Sequence, residues 1–220
     1  MTVLADGQPG HCVRGVPLGI DPSTGRSPAG RASDQGTSSP VVLPDGGVLY
    51  GAFTSYNGSR GHLFKLGVDG RVLATYDFGW DITPAVFPHD GTYSIVTKDN
   101  FYDQGPFFIT QLDANLRPQW AYRSQNQESC QRGANGQISC VKDHPGGFEW
   151  CVSAVAVDQD GVVYANSEDG NLYAISPGGE VKERVFLQLA LGAAYTPITL
   201  DAKGRLYAQN GGQLFVLGGP

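Results

Sequence analysis

Charge is scarce in this chain: Asp, Glu, Lys and Arg make up 16% of 220 residues, and the formal net charge is −6. A nucleic-acid backbone partner needs a basic face, which so acidic a balance does not supply. No run of 18 apolar residues occurs, so no membrane-spanning helix is expected. Residues 1–15 have neither a basic start nor an apolar centre, so no signal peptide is expected there. Short catalytic fingerprints are missing as well: the sequence has no G-x-S-x-G, no P-loop and no dinucleotide fingerprint. Its four cysteines form neither CxxC nor CxxCH, which weakens zinc and haem readings. His11, His62, His89 and His144 include no pair at HxH or HxxxH spacing.

What is abundant is glycine, 31 residues of it, set between short apolar runs. In residues 153–186 four such runs, 155–157, 162–165, 172–175 and 181–186, are separated by Asp160-Gly161, Asp169-Gly170 and Gly178-Gly179. Asp-Gly and Gly-Gly tolerate positive φ and so favour tight hairpins. The runs are too short for helices and rich in β-branched and aromatic residues. Together they predict one four-stranded antiparallel meander.

The unit recurs. One copy has apolar runs around Asp45-Gly46 and Asp69-Gly70, another around Asp90-Gly91, and a shorter last one around Lys203-Gly204. A Ser or Thr opens each copy, in Ser39-Pro40, Thr83-Pro84, Ser153-Ala154 and Thr196-Pro197. From Pro40 to Pro84, Pro84 to Ala154 and Ala154 to Pro197 the spacings are 44, 70 and 43 residues, so the middle interval is one unit plus an insertion. A WD40-like period in the forties of four-stranded units predicts an all-β fold, a β-propeller with about four blades in this chain.

Tyr164-Ala-Asn-Ser-Glu-Asp-Gly-Asn-Leu-Tyr-Ala-Ile175 resembles the repeat of the quinoprotein-dehydrogenase-like (PQQ-like) propellers, as do Gln111-Leu-Asp-Ala-Asn-Leu-Arg-Pro-Gln-Trp120 and Gly19-Ile-Asp-Pro-Ser-Thr-Gly-Arg26. The resemblance runs from about residue 16 to 217. It implies that Trp120 docks one blade on the next. It also implies a full ring of seven or eight blades and an activity that ranges from quinone-dependent dehydrogenase to non-catalytic assembly factor. The dehydrogenases carry adjacent cysteines over the quinone and a calcium site of Glu, Asn and Asp; this sequence has no Cys-Cys pair.

The resulting layout is a partial blade and linker over 1–38, blades over 39–80 and 81–123, an inserted loop over 124–150, a blade over 151–190 and a partial blade over 191–220. Connections at 55–61 and 98–105 are longer than tight turns, and Asn57-Gly58-Ser59 is formally a glycosylation sequon. Because the chain opens on a fragment of a blade and stops one strand short, closure has three routes. The N-terminal segment completes the fourth blade, a second copy completes an eight-bladed ring, or another propeller chain supplies the missing half.

Residues 124–140 are almost wholly polar and cannot bury enough apolar surface to order themselves. A Cys130–Cys140 bridge would fix the loop; Cys12 with Cys151 then follows by elimination, although four cysteines allow three pairings. Bridges place the protein in an oxidising compartment, periplasmic or secreted. Asp45, Asp69, Asp90, Asp160, Asp169 and Asp201 recur at turns, where geometry alone explains them. Asp158-Gln159-Asp160-Gly161 resembles the start of a calcium loop but lacks the later Glu.

The densest cluster of chemistry is Arg132, Lys142, Asp143, His144, Glu149 and Trp150, in or beside the insertion, with Tyr102 in the second unit's long connection. Loops on a rigid scaffold carry function disproportionately. The expectation is a non-catalytic binding or scaffold propeller that presents these residues to a protein or a small ligand, with no cofactor. The alternatives are part of a PQQ- and calcium-dependent dehydrogenase, and a propeller lyase or hydrolase acting on a polysaccharide with residues gathered at its axis.

Overall fold

A computed structural model describes residues 39–53, 61–78, 82–101, 105–193 and 196–218. They fold as an all-β propeller array of four-stranded antiparallel blades, with no helix among the described residues, and hence none long and apolar enough to cross a membrane. The N-terminal partial blade, Cys12, His11, Tyr102, the sequon and most of the 55–61 connection lie outside the described residues.

The first blade is β1 (Val41–Val42), β2 (Val48–Phe53), β3 (Gly61–Leu66) and β4 (Val72–Phe78), paired in chain order. The second is β5 (Ala85–His89), β6 (Thr92–Asn100), β7 (Phe107–Leu112) and β8 (Pro118–Arg123). A two-stranded hairpin, β9 (Glu128–Arg132) with β10 (Ile138–Lys142), follows. After β11 (Val152–Ala154) comes the third blade: β12 (Ala156–Val157), β13 (Val163–Asn166), β14 (Asn171–Ile175) and β15 (Val181–Phe186). The chain ends with β16 (Thr196–Pro197) and a three-stranded sheet of β17 (Thr199–Leu200), β18 (Leu206–Asn210) and β19 (Gln213–Leu217).

The turns are built by aspartates that fold back on their own backbone. Asp45 Oδ1 accepts from the Gly47 amide at 3.0 Å, Asp69 Oδ1 from Arg71 at 3.1 Å and Asp201 Oδ1 from Arg205 at 3.0 Å. In the third blade this role falls to Asp158, which accepts from Asp160 and Val162, rather than to Asp160 itself. Each carboxylate replaces a backbone acceptor that the reversal leaves out. A register shift recurs just before the last hairpin turn of each complete blade, at Lys65/Leu66, Gln111/Leu112 and Ala174/Ile175.

The Ser/Thr residues that open each copy join blade to blade. The Thr83 amide donates to Ser153 O at 2.8 Å, β11 pairs in parallel with β16, and the Ile198 amide donates to Ala154 O at 3.0 Å. The Ser39 amide donates to Thr83 Oγ1 at 3.0 Å, and Asn166 Nδ2 to Thr196 Oγ1 at 3.0 Å. One core, from Leu43 through Ile95 and Trp150 to Ile175, runs continuously through the first three blades. A smaller one of Leu172, Leu187, Ile198, Leu206 and Ala208 holds the fourth to the third.

One connection departs from the sequence reading. Residues 98–100, expected in a loop, are the buried end of β6. Their polar groups find partners there: Tyr76 Oη donates to Asp99 at 2.9 Å, and Asn100 Nδ2 donates to Trp150 O at 3.2 Å while its Oδ1 accepts from the Trp150 amide. A buried polar group that is satisfied need not terminate a strand.

Candidate functional site

The insertion is a rigid platform. Cys130 and Cys140 face each other in register across the β9–β10 hairpin and are disulfide-bonded. Closing so short a loop removes unfolded-chain entropy worth about 2–3 kcal/mol, which offsets the poor apolar content of the segment. The far side of β9 is tied to the third blade. The Arg132 amide donates to Gln188 O at 2.9 Å and the Ala190 amide to Cys130 O at 2.8 Å. β10 pairs with β9 alone among the described strands, and all five of its residues are exposed.

The structure distributes the candidate residues among different tasks. Arg132 faces inward as a clamp: its guanidinium donates to Leu187 O at 3.1 Å and Phe186 O at 3.0 Å and lies over the Phe186 ring. Trp150 is fully buried in the core, its Nε1 donating to Phe107 O at 3.3 Å and its ring edge-on to Tyr122 and Tyr173. Glu149 is half-buried, and its carboxylate lies within 4.8 Å of Glu168 and of the Cys151 sulfur. Cys151 is itself buried.

His144 stacks on Phe148 with ring centroids 3.8 Å apart. Its Nδ1 meets Asp143 Oδ1 at 2.6 Å, and Ser129 Oγ donates to the same Oδ1 at 2.7 Å. Donation from Ser129, then from His144, holds the Asp143 carboxyl below the usual range. A hydrolytic triad needs serine and aspartate on opposite ring nitrogens. Here Ser129 Oγ, 3.2 Å away, approaches the nitrogen that Asp143 already occupies. The trio therefore braces the end of the hairpin and lacks the geometry to activate Ser129.

Lys142 lines an open space that joins these elements. A cleft of about 370 Å³ is lined by Tyr122 from β8, Gln125, Gln127 and Glu128 from the entry to the hairpin, Lys142 from β10 and Arg184 from β15. Asn126 fixes the entry segment: its Nδ2 donates to Asp169 Oδ2 at 3.0 Å and to Glu128 O, and its Oδ1 accepts from the Glu128 amide. Asp169 is fully buried and also accepts from Tyr173 Oη and the Asn171 amide. Burial, then the Asp169 charge, drives the Tyr173 phenol far above its usual range, and burial raises that of Tyr122. Both tyrosines are neutral hydroxyl groups at pH 7.

Apart from Lys142, the cleft residues escape sequence reasoning because two distant segments, 122–128 and the strand that carries Arg184, supply them. The one local signal was the run of amides from Gln125 to Gln127, which marks a polar surface without saying what it faces. Asp169 is a turn residue, as its Asp-Gly pair implies, yet the carboxylate oxygen not used by the turn anchors the cleft.

No protein-family model matches the chain, and no curated protein matches it in sequence. Among solved structures, BamB from Moraxella catarrhalis is 14% identical at a TM-score of 0.37, with 83% of this chain and 58% of that one covered. The Dos1 propeller is 8% identical at a TM-score of 0.37, with 83% and 57% covered. A gluconolactonase from Xanthomonas campestris is 14% identical at a TM-score of 0.29, with 83% and 71% covered. The chain spans under three-fifths of the length of BamB and of the Dos1 propeller. The likeness is one of fold alone.

Proposed function

We propose that this chain is a non-catalytic binding propeller in an oxidising, extracytoplasmic compartment, and that its blades hold β10 as a docking strand for a protein partner. The observation that carries this reading is the contrast within β10. Its backbone is fixed by the disulfide and by the ties from β9 to the third blade, yet Ile138 is 47% and Val141 66% exposed. Apolar side chains on a rigid, unpaired edge invite strand addition. A partner strand gains main-chain hydrogen bonds there without any cost of ordering the platform.

A photo-reactive amino acid in place of Val141 tests this in the native compartment. The expected result is one discrete adduct, absent when the same group replaces Val68 in the first blade, and lost when the Cys130–Cys140 bridge is removed by Cys130→Ser and Cys140→Ser. Adducts at both positions, at neither, or insensitive to loss of the bridge would overturn the reading.

A further inference from the structure

The β10 edge leaves the cleft beside it unexplained. The cleft is a separate feature, concave and polar, with charge of both signs in its lining. Glu128 and Lys142 are cross-strand partners in register, yet they form no ion pair with each other. Neither Lys142 nor Arg184 has a carboxylate within salt-bridge reach among the described residues. Opposite charges facing one another across a hairpin ordinarily close on each other. Here both stand apart and line a space of about 370 Å³, large enough for a monosaccharide or an amino acid.

The walls complete the chemistry. Gln125 offers an amide donor and acceptor, Gln127 donates to Pro145 O at 2.9 Å and keeps its carbonyl oxygen, and Tyr122 presents a neutral phenol. Underneath, the buried Asp169 holds Tyr173 and, through Asn126, the entry segment, so the backbone that carries Gln125, Gln127 and Glu128 is positioned before any ligand arrives. Burial works against the Arg184 charge, but the Tyr173 phenol and then the Asp169 charge outweigh it and keep its pKa above the ordinary value. A buried anchor under an exposed polar cleft is a built arrangement rather than an incidental crevice between loops.

We propose that this cleft binds a small ligand carrying a carboxylate next to a hydrogen-bond donor. The carboxylate meets Arg184 and Lys142, where a guanidinium offers paired donors and an ammonium a point charge. The adjacent donor, a hydroxyl or an ammonium group, meets Glu128. Two sources share this chemistry: a sugar acid and an α-amino acid. Neutral sugars lack the carboxylate, and simple alkyl carboxylates lack the donor.

Calorimetric titration of the oxidised protein with D-galacturonate, L-alanine, D-galactose and propionate distinguishes them. The expected result is binding of one carboxylate with an adjacent donor at a Kd of about 1 mM or tighter. Galacturonate alone identifies a sugar-acid site, and alanine alone an amino-acid site. Arg184→Gln and Lys142→Gln should each weaken that binding about tenfold, and Lys203→Gln in the fourth blade should leave it unchanged. Both cleft side chains are exposed, so thermal melts equal to the wild type will establish that the variants fold. No binding of either compound up to about 10 mM, equal binding of galactose or propionate, or insensitivity to both cleft substitutions would overturn the proposal. The titration reads the cleft whether or not a partner strand docks on β10, so the two ideas fail separately.

Discussion

Lys65 is almost wholly buried between the first two blades, and its ammonium group defines what a single residue can do for this fold. It lies 2.7 Å from Asp45 Oδ2, donates to Tyr93 Oη at 2.7 Å and to Ala114 O at 2.9 Å, and so joins the first blade to two elements of the second. Donation from Lys65, then from Tyr93, holds the Asp45 carboxyl at about 2, against an ordinary 3.8. Burial works against the Lys65 ammonium, but Asp45 and Tyr93 outweigh it and keep its pKa above the ordinary value. For a carboxyl depressed in the folded state, the stabilisation is complete above the unfolded value and is lost as pH falls through the folded one. The pair therefore weakens between about pH 4 and pH 2. Because the Asp45 side chain is 43% exposed, solvent screening reduces its contribution to about 1 kcal/mol. Asp45→Asn should cost more at neutral pH, about 2 kcal/mol, because it leaves a buried cation without its counter-charge. Urea unfolding at pH 7 and pH 2.5 checks both: the wild type should lose more stability than the variant on acidification, and an equal loss would remove Asp45 from the acid response.

At the scale of the element, the turns were legible and the strand ends were not. Asp-Gly and Gly-Gly pairs announce positive φ, and Gly46, Gly70, Gly161, Gly170 and Gly179 all have it. What sequence hides is who lies above a turn. Gly179 has φ of +84°, and a Cβ there would stand 3.1 Å from the Trp120 ring of the preceding blade. Trp120 thus lies against the third blade at a glycine that leaves it room, in keeping with the docking role that the family resemblance implies. Gly179→Ala should cost about 2 kcal/mol, part from the left-handed backbone and part from displacing the ring. Gly204→Ala has a similar φ of +75° but nothing within 4 Å, and should cost only the backbone share. Chemical denaturation of the two variants separates the terms, and equal losses would mean that the ring gives way freely. The polar residues 98–100 read as a loop because local composition does not reveal the Tyr76 hydroxyl that meets Asp99 or the Trp150 backbone groups that meet Asn100. The cleft was hidden for the same reason: Tyr122, Asn126, Asp169 and Arg184 meet only once two blades and the hairpin are assembled.

At the scale of the whole molecule, the blades do not share their burial equally. β6 has every side chain from Tyr93 to Asn100 buried, with β5 and β7 on its flanks and a core that reaches three blades. The last sheet has three strands, its final strand β19 exposes Leu214 and Val216, and it rests on the smaller core of five buried side chains. Cooperative opening follows the least buried contiguous unit. The fourth sheet should therefore open on its own while the first three blades open together. In native-state hydrogen exchange, β18 and β19 amides should exchange through a local opening at least about 100-fold more populated than the one that exposes β6 and β7. Removing apolar contacts in the large core, as in Ile95→Ala, should cost about 3 kcal/mol and raise exchange through all three blades. Leu206→Ala in the small core should raise exchange in the fourth sheet and leave β6 protected. If that substitution instead loosened β6 to the same degree, the four sheets would be one cooperative body, and the uneven cores would have no dynamic consequence.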